Sequence, residues 1–104
     1  MKKVSLYESN DFSALMHKTF LVHDSPYFKI INFNFKAGQK LPVHSHEIEG
    51  QVSIAVLEGR GSFLGKEESI PAGPGDVLIS DISEPHGISA DTDMRVLVTI
   101  APPI

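Results

Sequence analysis

The chain has 104 residues, enough for one domain and no more. It is mildly acidic, with 13 Asp and Glu against 9 Lys and Arg and no basic stripe, so nothing in it supports nucleic-acid binding. It has no cysteine, which excludes disulfides and thiolate metal ligands and accords with a reducing compartment; no apolar run reaches membrane-spanning length.

At the N-terminus, MKKVSLYESN has two lysines but no apolar stretch behind them, unlike a secretory signal, and a cytoplasmic protein is expected. Residues 10–17, NDFSALMH, carry the only helical patterning, with Asn10 or Asp11 as N-cap. Everything after reads as short strands, over 19–23, 28–35, 43–46, 52–57, 61–64, 68–70, 77–81, 86–90 and 94–100, separated by Gly, Pro, Asn and Asp turns. Nine strands at this spacing predict an all-β sandwich or barrel, a single domain over 1–104. In FKIINFNF, the period of two puts Ile31, Phe33 and Phe35 on one face and Asn32 and Asn34 on the other. The tail from Ala101 to Ile104 holds two prolines, which lack the N–H a central strand needs.

The residues that speak to function are histidines. His44 and His46 are two apart in GQKLPVHSHEIEGQVSIAVLEG, so a strand there aims both imidazoles into one space. His86 lies in a second strand-like run, GDVLISDISEPHGISA, and a third imidazole from a neighbouring strand completes a facial set of nitrogen donors. Such a set suits a divalent metal: zinc, iron, copper, nickel or manganese. Polar groups inside a small β core are costly unless they satisfy each other or bind something. His17 and His23 lie apart from these runs and are read as surface or interface residues. Tyr7, Tyr27, Ser53, Ser80, Arg60 and Arg95 carry weaker signals, and Asp76 reads as a turn-former.

Gly38, His44 and His46, with Gly59 closing the run, resemble the first motif of the cupin family: Gly, five residues, His-x-His, three or four residues, Glu, six residues, Gly. Gly75 and His86 resemble the second: Gly, five residues, Pro-x-Gly, two residues, His, three residues, Asn. The resemblance covers Gly38 to about Ala90. It implies a double-stranded β-helix, or jelly-roll, barrel. The chain departs from the pattern where the family has its glutamate. Counting from His46 puts Gln51 there, and counting back from Gly59 puts Val52, since one residue is extra; a β-bulge or a longer turn near 49–51 would absorb it. Asp81 and Ser83 replace the second motif's Pro and Gly, and Ala90 its Asn.

The implied ligand set is His44, His46 and His86, with Gln51 as a neutral fourth donor and Glu47 and Glu49 as alternatives. Without a carboxylate the ion keeps its full charge, which makes it a stronger Lewis acid and draws anionic groups. The resemblance implies a small-molecule ligand or substrate and a metal-dependent enzyme of dioxygenase or isomerase type. The alternative is a non-catalytic metal- or ligand-binding or sensing module, since fold alone does not choose. A chain this small exposes strand edges, and the apolar stretch 19–22 offers a docking edge, so a homodimer is expected.

Overall fold

The computed structural model describes all 104 residues. A one-turn helix α1 (Leu6–Ser9) precedes nine strands: β1 (Lys18–Asp24), β2 (Lys29–Phe35), β3 (Lys40–His44), β4 (Gln51–Glu58), β5 (Gly61–Leu64), β6 (Ser69–Ala72), β7 (Val77–Asp81), β8 (His86–Ala90) and β9 (Met94–Ala101). They form two antiparallel sheets, ordered β1-β2-β9-β4-β7 and β3-β8-β5-β6, in a cupin-like jelly roll.

The inward side chains follow from alternation. On β4, Val52, Ile54 and Val56 are buried while their neighbours are not. On β9, Met94, Val96 and Val98 do the same. With Phe35, Phe63, Ile82 and Ile88 they belong to a core of 12 buried apolar residues. Prolines lie where the ladder tolerates them. Pro42 is on β3 and Pro71 on β6, the two edge strands of the smaller sheet.

The expected helix over 10–17 is not formed. Asn10, taken as its N-cap, is extended at φ −143° and buried. Its amide donates to the Lys18 carbonyl and to Asn32 Oδ1 at 2.8 Å, and its own Oδ1 accepts the Asp11 N–H. A buried tertiary bond to the sheet thus replaces a local cap. Arg95 fixes the same segment from below. Its guanidinium lies between the Tyr7 and Phe12 rings and donates to Glu58 at 2.7 Å.

Asn32 and Asn34 occupy the face opposite Phe33 as the alternation requires, yet both are fully buried beneath this N-terminal segment. Asn32 Nδ2 donates to Asn34 Oδ1 and to the Val96 carbonyl, both at 3.0 Å. Asn34 Nδ2 donates to the Asp11 carbonyl. Every buried side-chain nitrogen and oxygen in the molecule has a partner.

Candidate functional site

β3 and β8 bring two of the imidazoles together. His44 pairs with His86 across the antiparallel ladder, and their ring centroids are 4.7 Å apart at an interplanar angle of 60°. Between Leu41 and His44 the register slips, so β3 bulges over Pro42 and Val43. The bulge rides close over Gly87. A Cβ there would stand 2.6 Å from the Leu41 carbonyl oxygen and 2.9 Å from the Val43 nitrogen. Only glycine after His86 lets β3 approach this closely.

His46 arrives by a different route from the one expected. β3 ends at His44, so His46 is on the following loop. Its backbone N–H donates to the Ile82 carbonyl at 3.1 Å, and its carbonyl accepts from Ile48. Its ring is 5.8 Å from that of His44. The loop closes at Gly50, where a Cβ would strike the Ala101 carbonyl and the Pro102 ring. Of the two expected ways to absorb the extra residue, the turn is the one present: 45–50 form the loop between β3 and β4, with no bulge near 49–51. The irregularity of β4 against β9 falls between Val56 and Glu58.

Two rings are oriented by their own chain. His44 Nδ1 is 2.9 Å from the Pro42 carbonyl, and His86 Nδ1 is 2.6 Å from the Glu84 carbonyl. A carbonyl only accepts, so in the neutral ring Nδ1 carries the proton and Nε2 keeps its lone pair. Pro85 supports this by holding Glu84 away from helical backbone. His86 is buried, and that burial holds its pKa below the usual histidine range, with the neighbouring His44 and His46 adding to the effect. The Glu84 carbonyl pulls the other way and is outweighed. His46 is exposed and His44 half-buried.

All three histidines line one cavity of about 190 Å³ between the sheets. Val52 lines it; Gln51 does not. Strand alternation decides this: Val52 points inward, while Gln51 is exposed, its amide donating to Asp81 Oδ1 at 3.3 Å. Gln51 is therefore not brought to the histidines as the spacing suggests, and Glu47 and Glu49 are exposed on the loop. As placed, no three His, Cys, Asp or Glu side chains are drawn tightly enough together to hold an ion. The donor chemistry nevertheless fits one: imidazoles with Nδ1 anchored and Nε2 free are the form in which histidine ligates a metal.

Sequence reasoning missed other features. His17, read as a surface or interface residue, is half-buried against Phe33 and Phe35, with centroids 5.6 and 5.5 Å away. Phe33 is one of the cavity's wall residues, and His17 itself does not line the cavity. His23 packs on Phe28 at 4.7 Å. Ile104, in a tail expected only not to pair, folds back to line the cavity, and Lys29 Nζ donates to its carbonyl oxygen at 2.5 Å. Nothing in the local pattern signalled that return. No helix is long and apolar enough to cross a membrane.

Comparison with known proteins agrees with this architecture. The crystal structure of an RmlC-like cupin protein from Desulfovibrio desulfuricans superposes with a TM-score of 0.96 and 56% identity, over 100% of this chain and 99% of that one. The protein TT1209 from Thermus thermophilus matches with a TM-score of 0.90 at 23% identity, over 100% of both chains. A mutant salicylate 1,2-dioxygenase from Pseudoaminobacter salicylatoxidans matches with a TM-score of 0.76 at 17% identity, over 91% of this chain and 29% of its own. No functionally curated protein matches the sequence significantly. The family model described as "Cupin domain" matches residues 32–100, which span β2 to β9 and all three histidines, and the chain belongs to the cupin family.

Proposed function

We propose that His44, His46 and His86 bind one divalent metal ion and that the protein is a metal-dependent enzyme acting on a small organic molecule. The observation that carries this reading is the pair of backbone anchors. The Pro42 and Glu84 carbonyls engage Nδ1 of His44 and His86, while Nε2 of each ring makes no bond within the chain, beside a cavity of small-molecule size. His46 is exposed, its ring 5.8 Å from that of His44. When bound, such an ion supplies Lewis acidity and open positions for a chelating oxygen group. Val52 inside the wall leaves three histidines as the whole protein contribution, and Gln51 takes no part.

The lining favours one of the two reaction types. Isomerisation by proton shuttling needs a base in the wall, and apart from the histidines the wall holds no acid or base. Oxygenation needs none, so the dioxygenase type is preferred. The salicylate dioxygenase shares the fold, which is compatible with that choice. The same lack of a base favours one competing reading, a binding or sensing module without turnover. The test is metal analysis of protein purified without added metal, alongside His44→Ala and His86→Ala, followed by oxygen-uptake assays of the loaded protein. One ion per chain, lost in both variants, supports the site. Full occupancy in either variant overturns it. Oxygen uptake that depends on added small molecules separates enzyme from module.

We extend the proposal to a homodimer. β1 and β7 are the edges of the larger sheet and carry exposed Leu21, Val77 and Ile79. A second copy of this chain covers such an edge by pairing with it. Sedimentation showing only monomer at high micromolar concentration overturns this.

A further inference from the structure

Besides the imidazoles, the cavity wall consists of apolar side chains alone, among them Ile31, Phe33, Leu41, Ile54 and Ile100. No side chain with an ammonium, guanidinium, carboxylate, amide or hydroxyl group lines it. Lys29, whose Nζ donates to the carbonyl oxygen of the wall residue Ile104, is not itself among the lining residues, and Arg95 is held by Glu58 with Tyr7 and Phe12. A ligand therefore meets polar partners at the histidine end and hydrocarbon everywhere else. An ionised group away from the histidines would be desolvated with nothing to pair it. The size is limiting as well. An apolar engineered cavity of about 150 Å³ takes benzene, so about 190 Å³ admits one ring and little more.

We propose that the cavity selects small, uncharged, single-ring or similarly compact molecules with one oxygen-bearing head, directing the head to His44 and His86 and the hydrocarbon body against Phe33, Ile54 and Ile100. This substrate class rests on the histidines being the polar end of the functional site. It does not require that they hold a metal: in the metal-free protein a hydroxyl head donates to a free Nε2. The class excludes molecules with a second charge at the far end, and bicyclic ones.

Three probes sharing a phenolic head isolate the two limits. p-Cresol carries a methyl opposite the hydroxyl, 4-hydroxybenzoate a carboxylate in that place, and 2-naphthol a second ring. Each is titrated into metal-free and metal-loaded protein and followed by NMR of the isoleucine methyls and histidine rings. The expected result is saturable shifts at Ile54, Ile100 and His86 with p-cresol in both forms. In the metal-free protein, binding of 4-hydroxybenzoate should be weaker by about 100-fold, and of 2-naphthol by about tenfold or more. An Ile100→Arg variant that keeps the native spectrum should narrow or reverse the preference for p-cresol over 4-hydroxybenzoate. Should that variant misfold, the wild-type series decides alone. Equal affinity of the metal-free protein for p-cresol and 4-hydroxybenzoate overturns the proposal, as does the absence of any cavity shift with millimolar p-cresol. If p-cresol binds metal-free protein that takes up no metal, this inference stands and the metal reading fails. If metal is taken up and p-cresol does not bind, the metal reading stands and this inference fails.

Discussion

The molecule contains two clusters of polar side chains among its strands, and they are finished differently. On the outer face of β2, Asn10, Asn32 and Asn34 satisfy one another, the Val96 carbonyl and the N-terminal backbone. Between the sheets, His44 and His86 satisfy one nitrogen each and leave the other facing a cavity. A closed polar network fixes structure, since breaking it strands buried groups. A half-closed one has binding capacity left over. Asn32 and Asn34 are two apart in the sequence, as His44 and His46 are, so spacing alone does not tell the clusters apart; the difference is whether a cavity adjoins.

The largest effect expected from this contrast is in the closed network. Asn32→Ala takes one of two acceptors from the Asn10 amide and removes the amide that donates to Asn34 Oδ1 and the Val96 carbonyl, and should destabilise the fold by about 4 kcal/mol, read as a lower urea midpoint. Protein that remains folded should take up metal like wild type. Loss of metal with the asparagine change would erase the distinction between the clusters.

The histidine cluster should behave the other way round. A divalent ion at about 100 times its Kd should raise wild-type stability by about 2.7 kcal/mol, and chelator should remove that gain. His44→Ala should abolish the gain and change the metal-free melting temperature little, because His44 is only half-buried. Gly87→Ala tests the support under both rings. It should cost about 2 kcal/mol by forcing β3 away from β8, and weaken metal binding with it, as seen by calorimetry.

A smaller effect is expected from pH. Burial lowers the His86 pKa in the folded protein, so in metal-free protein the unfolded chain takes up the proton first as pH falls below about 6.5. Stability from this group is therefore complete above that pH, declines as pH drops towards the lowered folded value, and is flat beneath it. His86→Gln should flatten that part of the stability profile. The smallest change belongs to Gln51→Ala. With its side chain outside the cavity, metal affinity should stay within about twofold of wild type, below the roughly tenfold loss that removing even an outer partner of a ligand produces.

Much of the architecture was legible because alternation and turn residues act locally. β5, β7 and β8 span the residues their patterns indicated, and most other strands differ by a residue or two at the ends. The family and the jelly roll could be read from two glycine–histidine spacings. What escaped depended on distant partners. Asn10 looks like a helix cap in isolation and becomes a strut once Asn32 is beside it. Gln51 fitted a spacing count, but strand phase hands the inward position to Val52. The reach of Ile104 into the cavity depends on Lys29, 75 residues earlier. The convergence of the three histidines on one cavity was expected from the sequence, although His46 gets there from a loop rather than a strand.

The carbonyls that steer His44 and His86 each belong to the residue two places upstream in the chain. Ring attitude is therefore written into two short stretches of backbone and does not depend on the strands staying in contact. If the edge strand β3 frays from β8, to which it is joined through Lys40, Leu41 and His44, each ring keeps its tilt and only the gap between strands widens. For this pair of rings the gap between the two strands is then the coordinate that opens. The dwell time of whatever the site grips should follow the opening rate of that edge, which hydrogen exchange at the β3 amides reports directly.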